Sequence, residues 1–310
     1  MKSIEGIIPV MLTPFNHDGS VDYSSLEHLV DWYLDKGVDG LFAVCQSSEM
    51  QYLTLQERID ITKCVVNKVN GKIPVMTSGH ISDDLETQIN ELQAMAECGA
   101  DVLVLVTNHL DPENKGTDTF MSHLNAILEK LPSDLPLGLY ECPAPYRRLL
   151  TDEELIYCAE SGRFVALKDV SCDLATVTKR VQLVKDTPLN IVNANAAIAY
   201  PAMQAGSKGF CGVFTNFHPD LYRWLYHDAN KDLALADELS VFLSMSAVVE
   251  NLGYPKNAKE YHLMNKLPTF NSNYCRVIKD DVIEKFWALD VLLKQIKQGS
   301  DIYNNKIKKI

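Results

Sequence analysis

Apolar positions along the chain fall into eight short runs, each followed by a longer stretch in which apolar residues recur three and four apart. The runs cover 7–12, 40–45, 74–78, 102–106, 136–142, 164–168, 190–193 and 209–215. Short, nearly continuous apolar runs rich in β-branched residues predict strands buried on both faces, as in a parallel sheet. The stretches between them predict helices near 23–36, 54–69, 83–97, 117–131, 152–161, 173–185, 197–205 and 218–228. Asp83 and Asp84 after Ser82, and Thr151 followed by Glu154, supply capping side chains at two helix starts. Gly37, Gly99, Gly162 and Gly206 fall just past helix ends, where a left-handed cap favours glycine.

Eight strand–helix units in about 230 residues predict an α/β fold, a closed (β/α)8 barrel. A doubly wound open sheet is the alternative. It would carry a glycine fingerprint after the first strand, where Leu12, Thr13, Pro14 and Phe15 stand instead. Beyond residue 230 the strands stop, and 230–252, 256–267 and 280–298 are helical in pattern, broken by Gly253, Pro255 and Pro268. The chain therefore divides into a barrel over 1–229, which carries the active site, and a helical extension over 230–310, packed on the barrel or used for assembly.

Composition narrows the function. Of 310 residues 46% are apolar and 23% charged, which excludes a disordered chain. Acidic residues outnumber basic ones 41 to 29, for a formal charge of −12, so neither nucleic acid nor an anionic membrane is an expected partner. Lys297, Lys306, Lys308 and Lys309 form a local basic tail, read as a solvated end. The eight cysteines are spread singly, without zinc-ligand spacing, and read as reduced thiols; no metal site is expected. The N-terminus lacks the apolar core of a signal peptide and no run of 18 apolar residues occurs, so the expected location is the cytoplasm.

In a barrel of this kind the chemistry gathers at the C-terminal ends of the strands. Period-2 alternation in 165–168 turns Ala166 and Lys168 inward and Val165 and Leu167 outward. A desolvated lysine gives up its proton more readily, and a neutral amine attacks carbonyl carbon; the plain alternative is a lysine reaching solvent at a strand end. On the fifth strand Gly138, Tyr140 and Cys142 share the inward face, which leaves Glu141 pointing away. Tyr140 can then pass protons to groups near Lys168, or serve only as a core tyrosine. Gln46, Ser47 and Ser48 end the second strand in a turn whose donors suit a carboxylate. His80 and His109 lie just beyond strands as acid–base candidates.

Taken in order, these segments resemble the N-acetylneuraminate lyase and dihydrodipicolinate synthase family of class I aldolases. The likeness runs through Thr13 to Phe15, Gly19 to Asp22, Gly37 to Leu41, Ser48 with Glu49, Leu53 to Arg58, Tyr140 with Pro143, Lys168 with Asp169, Gly206 to Gly209, and Asn216 with Pro219. It spans about residues 4–300. The resemblance implies that Lys168 forms a Schiff base with pyruvate or another 2-oxo acid and that Tyr140 shuttles protons. Ser47 and the Ser48 amide would hold the carboxylate, with Gln46, Asn195, Cys211, His109 and Arg147 as further substrate contacts. It implies no cofactor, since the protonated imine is the electron sink, and it implies a homotetramer built as a dimer of dimers.

Three departures bear on substrate. Where the synthases place a carboxylate-binding arginine five positions after the tyrosine, Pro145 stands, with Arg147 and Arg148 two and three residues on. Gln46 replaces a relay hydroxyl, and the loop 107–112 has no tyrosine, which leaves His109 or water in that place. Where sialic-acid lyases carry an acid after the seventh strand, Ala196 stands beside Asn195. The expected activity is thus aldol cleavage or condensation, or dehydration of a 3-deoxy-2-oxo sugar acid, by a lyase other than an authentic dihydrodipicolinate synthase. The competing expectation is a non-catalytic relative that binds a 2-oxo acid or sugar acid.

Overall fold

The computed structural model describes residues 3–310. Strands β1 (Gly6–Ile7), β2 (Leu41–Phe42), β3 (Val75–Thr77), β4 (Val102–Val106), β5 (Leu137–Tyr140), β6 (Phe164–Asp169), β7 (Asn190–Asn193) and β8 (Gly209–Phe210) are all parallel. They follow one another in ladder order, with β8 beside β1 and β2 at the far end. A parallel bridge from Val10 to Phe42 joins that end back to the chain after β1, so the sheet closes into the expected (β/α)8 barrel. Closure at β1 and β8 rests on paired glycines. A Cβ on Gly209 would sit 1.9 Å from the Gly6 carbonyl oxygen, so no other residue fits there without moving the backbone.

Helices α1 (Tyr23–Asp35), α2 (Leu55–Val69), α3 (Leu85–Ala96), α4 (Thr117–Leu128), α5 (Asp152–Glu160), α6 (Leu174–Val184), α7 (Ala199–Gln204) and α8 (Pro219–His227) follow their strands. The caps read from sequence are in place: Asp84 accepts from the Thr87 amide, and Thr151 forms a capping box with Glu154. Outward-facing Leu103, Leu105, Leu139 and Leu167 pack with the helices in one core cluster, while Val104, Val106, Tyr140 and Ala166 belong to another.

Several boundaries differ from expectation. The first strand stops early because Pro9 has no N–H to continue the ladder. The last gives way to a 3-10 turn at Val213–Asn216. Val165 joins the cluster of Val104 and Ala166 instead of facing outward, because the β5–β6 register shifts between Leu137 and Gly138 and adds a residue to β6.

The extension holds α9 (Leu233–Ser246), a 3-10 segment Ala247–Asn251, α10 (Lys256–Met264), α11 (Val282–Lys285) and α12 (Leu289–Ile307). The single helix expected over 280–298 is therefore two, and the second continues through Gly299. That glycine marks contact with α9 rather than a helix end, since a Cβ there would lie 2.3 Å from the Phe242 ring. Of the basic tail, Lys297 pairs with Asp301 along α12 and Lys306 with Glu238 on α9, so this end is docked and not simply solvated.

Candidate active site

Strand register brings the two leading candidates side by side: on the β5–β6 ladder Tyr140 is the direct partner of Lys168, one pair beyond Leu139 and Leu167. Lys168 is 7% exposed. Its Nζ stands 4.1 Å from the centre of the Tyr140 ring and 5.6 Å from that of Phe42, cushioned by aromatic faces. It takes part in none of the ion pairs found among the described residues. The Tyr140 phenol donates to Gln46 Oε1 at 3.4 Å, and Cys142 Sγ approaches the same oxygen at 3.3 Å. Burial holds that phenol well above its ordinary pKa, so it acts as a neutral O–H donor near neutral pH.

The strand ends beneath these residues are fixed by buried charge. Arg180 spans Asp169 and Glu141, and the Glu141 carboxylate also accepts from the Leu150 and Val170 amides at 2.8 and 3.0 Å. Glu141 thus faces away from the barrel interior, as parity predicts, and ties the end of β6 to the loop after β5.

Lys168 and Tyr140 border a cavity of about 410 Å³ shared with Gln46, Ser47, Asn195 and Cys211. Ser47 sits in a 3-10 turn, Gln46–Ser48, that follows β2. Ser48 is fully buried below it: its hydroxyl accepts from the Cys45 amide and donates to the Ala43 carbonyl, and its own amide donates to the Cys45 carbonyl. The expected use of Ser48 as a carboxylate donor therefore meets groups already bonded within the turn, which leaves Ser47 as the serine that borders the cavity. Glu49 closes the turn in a left-handed conformation, φ 63°, and also borders the cavity.

Two expected contacts lie elsewhere. Arg147 is exposed and turns its guanidinium to the carbonyls of Val170 and Ser171, outside the cavity lining. Arg148 is buried against Asp111 and Glu154. His109 also lies outside the lining, with Nδ1 facing Asp83 at 3.1 Å and Nε2 buried without a partner among the described residues. His80 is a structural acceptor: its Nε2 takes the Val106 amide at 2.7 Å, and burial depresses its pKa to about 3. Among the residues that border the cavity Lys168 is the only cation.

The extension contributes a wall that the sequence did not reveal. Glu250, Tyr254, Pro255 and Val277 all border the cavity. Asn216 links Tyr254 to Tyr33, accepting from one phenol while donating to the other. A second tie is the Glu49–Lys259 pair at 2.9 Å, with side chains 1% and 0% exposed. No periodic signal marks the four wall positions, since Glu250 lies in a 3-10 segment and Tyr254, Pro255 and Val277 in loops.

Residues 3–251 match the sequence model of the Dihydrodipicolinate synthetase family. The chain belongs to that family. The 4-hydroxy-tetrahydrodipicolinate synthase of Coxiella burnetii is 31% identical over 218 residues, covering 70% of this chain and 72% of that protein. Among solved structures, a dihydrodipicolinate synthase of Bacillus anthracis superposes with a TM-score of 0.84 at 22% identity, covering 96% of this chain and 99% of that one. CdNal of Clostridium difficile, solved with mannosamine, gives 0.82 at 16% identity over 96% and 100%. The family member described here is a lyase of the pyruvate-dependent class I aldolase type. Among the described residues no helix is long and apolar enough to cross a membrane, and no cluster of three or more His, Cys, Asp or Glu side chains is placed to hold a metal ion.

Proposed function

We propose that this lyase works through a Schiff base on Lys168, with pyruvate as the three-carbon partner and a hydroxylated, non-acidic group as the remainder of its substrate. The amine adds to the C2 carbonyl of a 2-oxo acid and water leaves, with Tyr140 supplying and recovering the protons. Loss of a proton from C3 converts the iminium to an enamine. In the aldol direction that enamine attacks an aldehyde; in reverse the C3–C4 bond breaks and its electrons return to the imine. From a 3-deoxy-2-oxo sugar acid the same enamine can instead expel the C4 hydroxyl. Ser47 holds the substrate carboxylate, while Asn195, Cys211 and Gln46 line the path of the rest.

The observation that carries this reading is the ladder pairing of Tyr140 with Lys168 at a cavity border, with the amine 4.1 Å from the phenol ring. Authentic dihydrodipicolinate synthesis is disfavoured because Pro145 occupies the arginine position and neither Arg147 nor Arg148 reaches the cavity. We place the chain in a homotetramer, which sedimentation equilibrium reads directly and which a monomeric mass would contradict. Exchange of pyruvate methyl protons in deuterium oxide tests the chemistry without knowledge of the aldehyde. Exchange catalysed by the wild type, and slowed about a hundredfold in Tyr140→Phe, supports the assignment; a wild type that leaves the methyl group protonated refutes it.

A further inference from the structure

Glu250 is the one acidic group at the cavity whose carboxylate is uncommitted. Glu49, the other, is saturated by Lys259 and by the amides of Arg276 and Val277 at 2.6 and 2.9 Å. The Glu250 carboxylate makes no ion pair or side-chain hydrogen bond among the described residues, although its backbone carbonyl caps Tyr254. It keeps contact with solvent, yet the surrounding protein desolvates it enough to push its pKa above the usual carboxylate value, with the Lys168 charge acting the other way.

Two side-chain donors border the same cavity unpaired. Gln51 Nε2 is buried without a hydrogen-bond acceptor. Asn195 spends its Oδ1 on the amides of Ala197 and Ile198, while its Nδ2 has no partner among the described residues. A free carboxylate with two free amide donors suits a ligand that both donates and accepts hydrogen bonds without net charge, and that is what a chain of hydroxyls does. A second carboxylate would meet Glu250 at short range with no guanidinium to offset the repulsion.

Resting on the Schiff-base reading above, we propose that Glu250 determines specificity. Its carboxylate accepts from hydroxyls on the distal part of a polyhydroxylated 2-oxo acid and excludes a 2-oxo acid that carries a second carboxylate. The acid for this task comes from the helical extension, from a 3-10 segment after α9, while the position after β7 holds Ala196.

The test compares borohydride trapping of three 2-oxo acids on the wild type, Glu250→Gln and Glu250→Ala: pyruvate, a 3-deoxy-2-oxohexonate and 2-oxoglutarate. Intact mass reports the fraction of protein reduced at each concentration, so turnover is not needed. The wild type should reach half-labelling with the hexonate at a concentration about tenfold below that for 2-oxoglutarate. Glu250→Gln should cut that ratio at least fivefold, chiefly by easing 2-oxoglutarate, with pyruvate shifted less than twofold. Glu250 is exposed and unpaired, so both variants should keep the wild-type unfolding midpoint. An unchanged hexonate-to-2-oxoglutarate ratio in both variants, with pyruvate labelling intact, overturns the role of Glu250 alone. Failure of pyruvate to label the wild type instead overturns the Schiff-base reading and takes this assignment with it.

Discussion

Replacing Lys259 by methionine should destabilise the protein and loosen the active site together. The Lys259 ammonium is fully buried, 2.9 Å from Glu49 Oε1, 2.8 Å from the Tyr274 carbonyl and 4.6 Å from the centre of the Phe15 ring. Methionine nearly matches the lysine stem and keeps the packing on Phe15, so the change isolates the charge. Removing one member of a buried pair leaves the other charge uncompensated, a loss of about 3–5 kcal/mol in comparable cases. Glu49 retains the Arg276 and Val277 amides, which places the expected loss near the lower end, about 3 kcal/mol. For a chain of this size that lowers the thermal midpoint by roughly 5 °C.

Urea unfolding followed by circular dichroism measures the change, and Glu49→Gln with the double variant completes a cycle. The pair should show a coupling of at least about 1.5 kcal/mol. Because Glu49 ends the turn that carries Ser47, half-saturation by pyruvate should also rise severalfold in Lys259→Met. A loss below about 1 kcal/mol with unchanged pyruvate saturation would refute the argument that this pair holds the extension against the turn.

Other predictions follow from particular groups. His80, His218 and His262 are fully buried, and desolvation depresses their pKa values to about 3, 4 and 4. Protons therefore bind the unfolded chain first as pH drops below about 6.5, and stability should fall between pH 6.5 and 4.5 by on the order of 2 kcal/mol per histidine; a flat unfolding midpoint across that window would contradict it. Burial raises the thiol pKa of Cys158, Cys211 and Cys275 to about 12, whereas Cys172 is exposed at the cavity. A thiol-specific reagent at pH 7.5 should label Cys172 ahead of those three, and Cys172→Ser should remove the fast phase; fast labelling that survives the substitution would count against the burial argument. Alanine substitution at Gly209 should abolish soluble, folded protein, since its Cβ would strike the β1 backbone; a folded variant would show that the closure is slack.

The barrel was legible because its strands are buried on both faces and its helices on one, so two different periods alternate eight times. The inward placement of Lys168 and Tyr140 was legible from parity, since each lies near the end of a strand where inward positions are counted easily. Parity failed at Val165 because a register shift leaves no mark in composition. The break at Phe286–Ala288 was invisible, as no glycine or proline stands there, and the helix runs past 298 through Gly299, which provides a contact with Phe242. Glu250 and Tyr254 escaped notice for a different reason. They reach the cavity through the packing of the extension on the barrel, a tertiary event that local pattern does not encode. The resemblance offered Arg147 as a substrate contact two residues past the family's arginine position, yet its guanidinium is drawn to two backbone carbonyls on the outside.

The proposed chemistry depends most directly on the amine of Lys168. Incubation with pyruvate and borohydride, followed by intact-mass measurement of the wild type beside Lys168→Ala, decides it. One reduced pyruvyl group per chain on the wild type, mapped to Lys168 and missing from the variant, is the predicted result. A wild type that stays unmodified while folded, or a Lys168→Ala protein labelled to the same extent, would contradict the central claim.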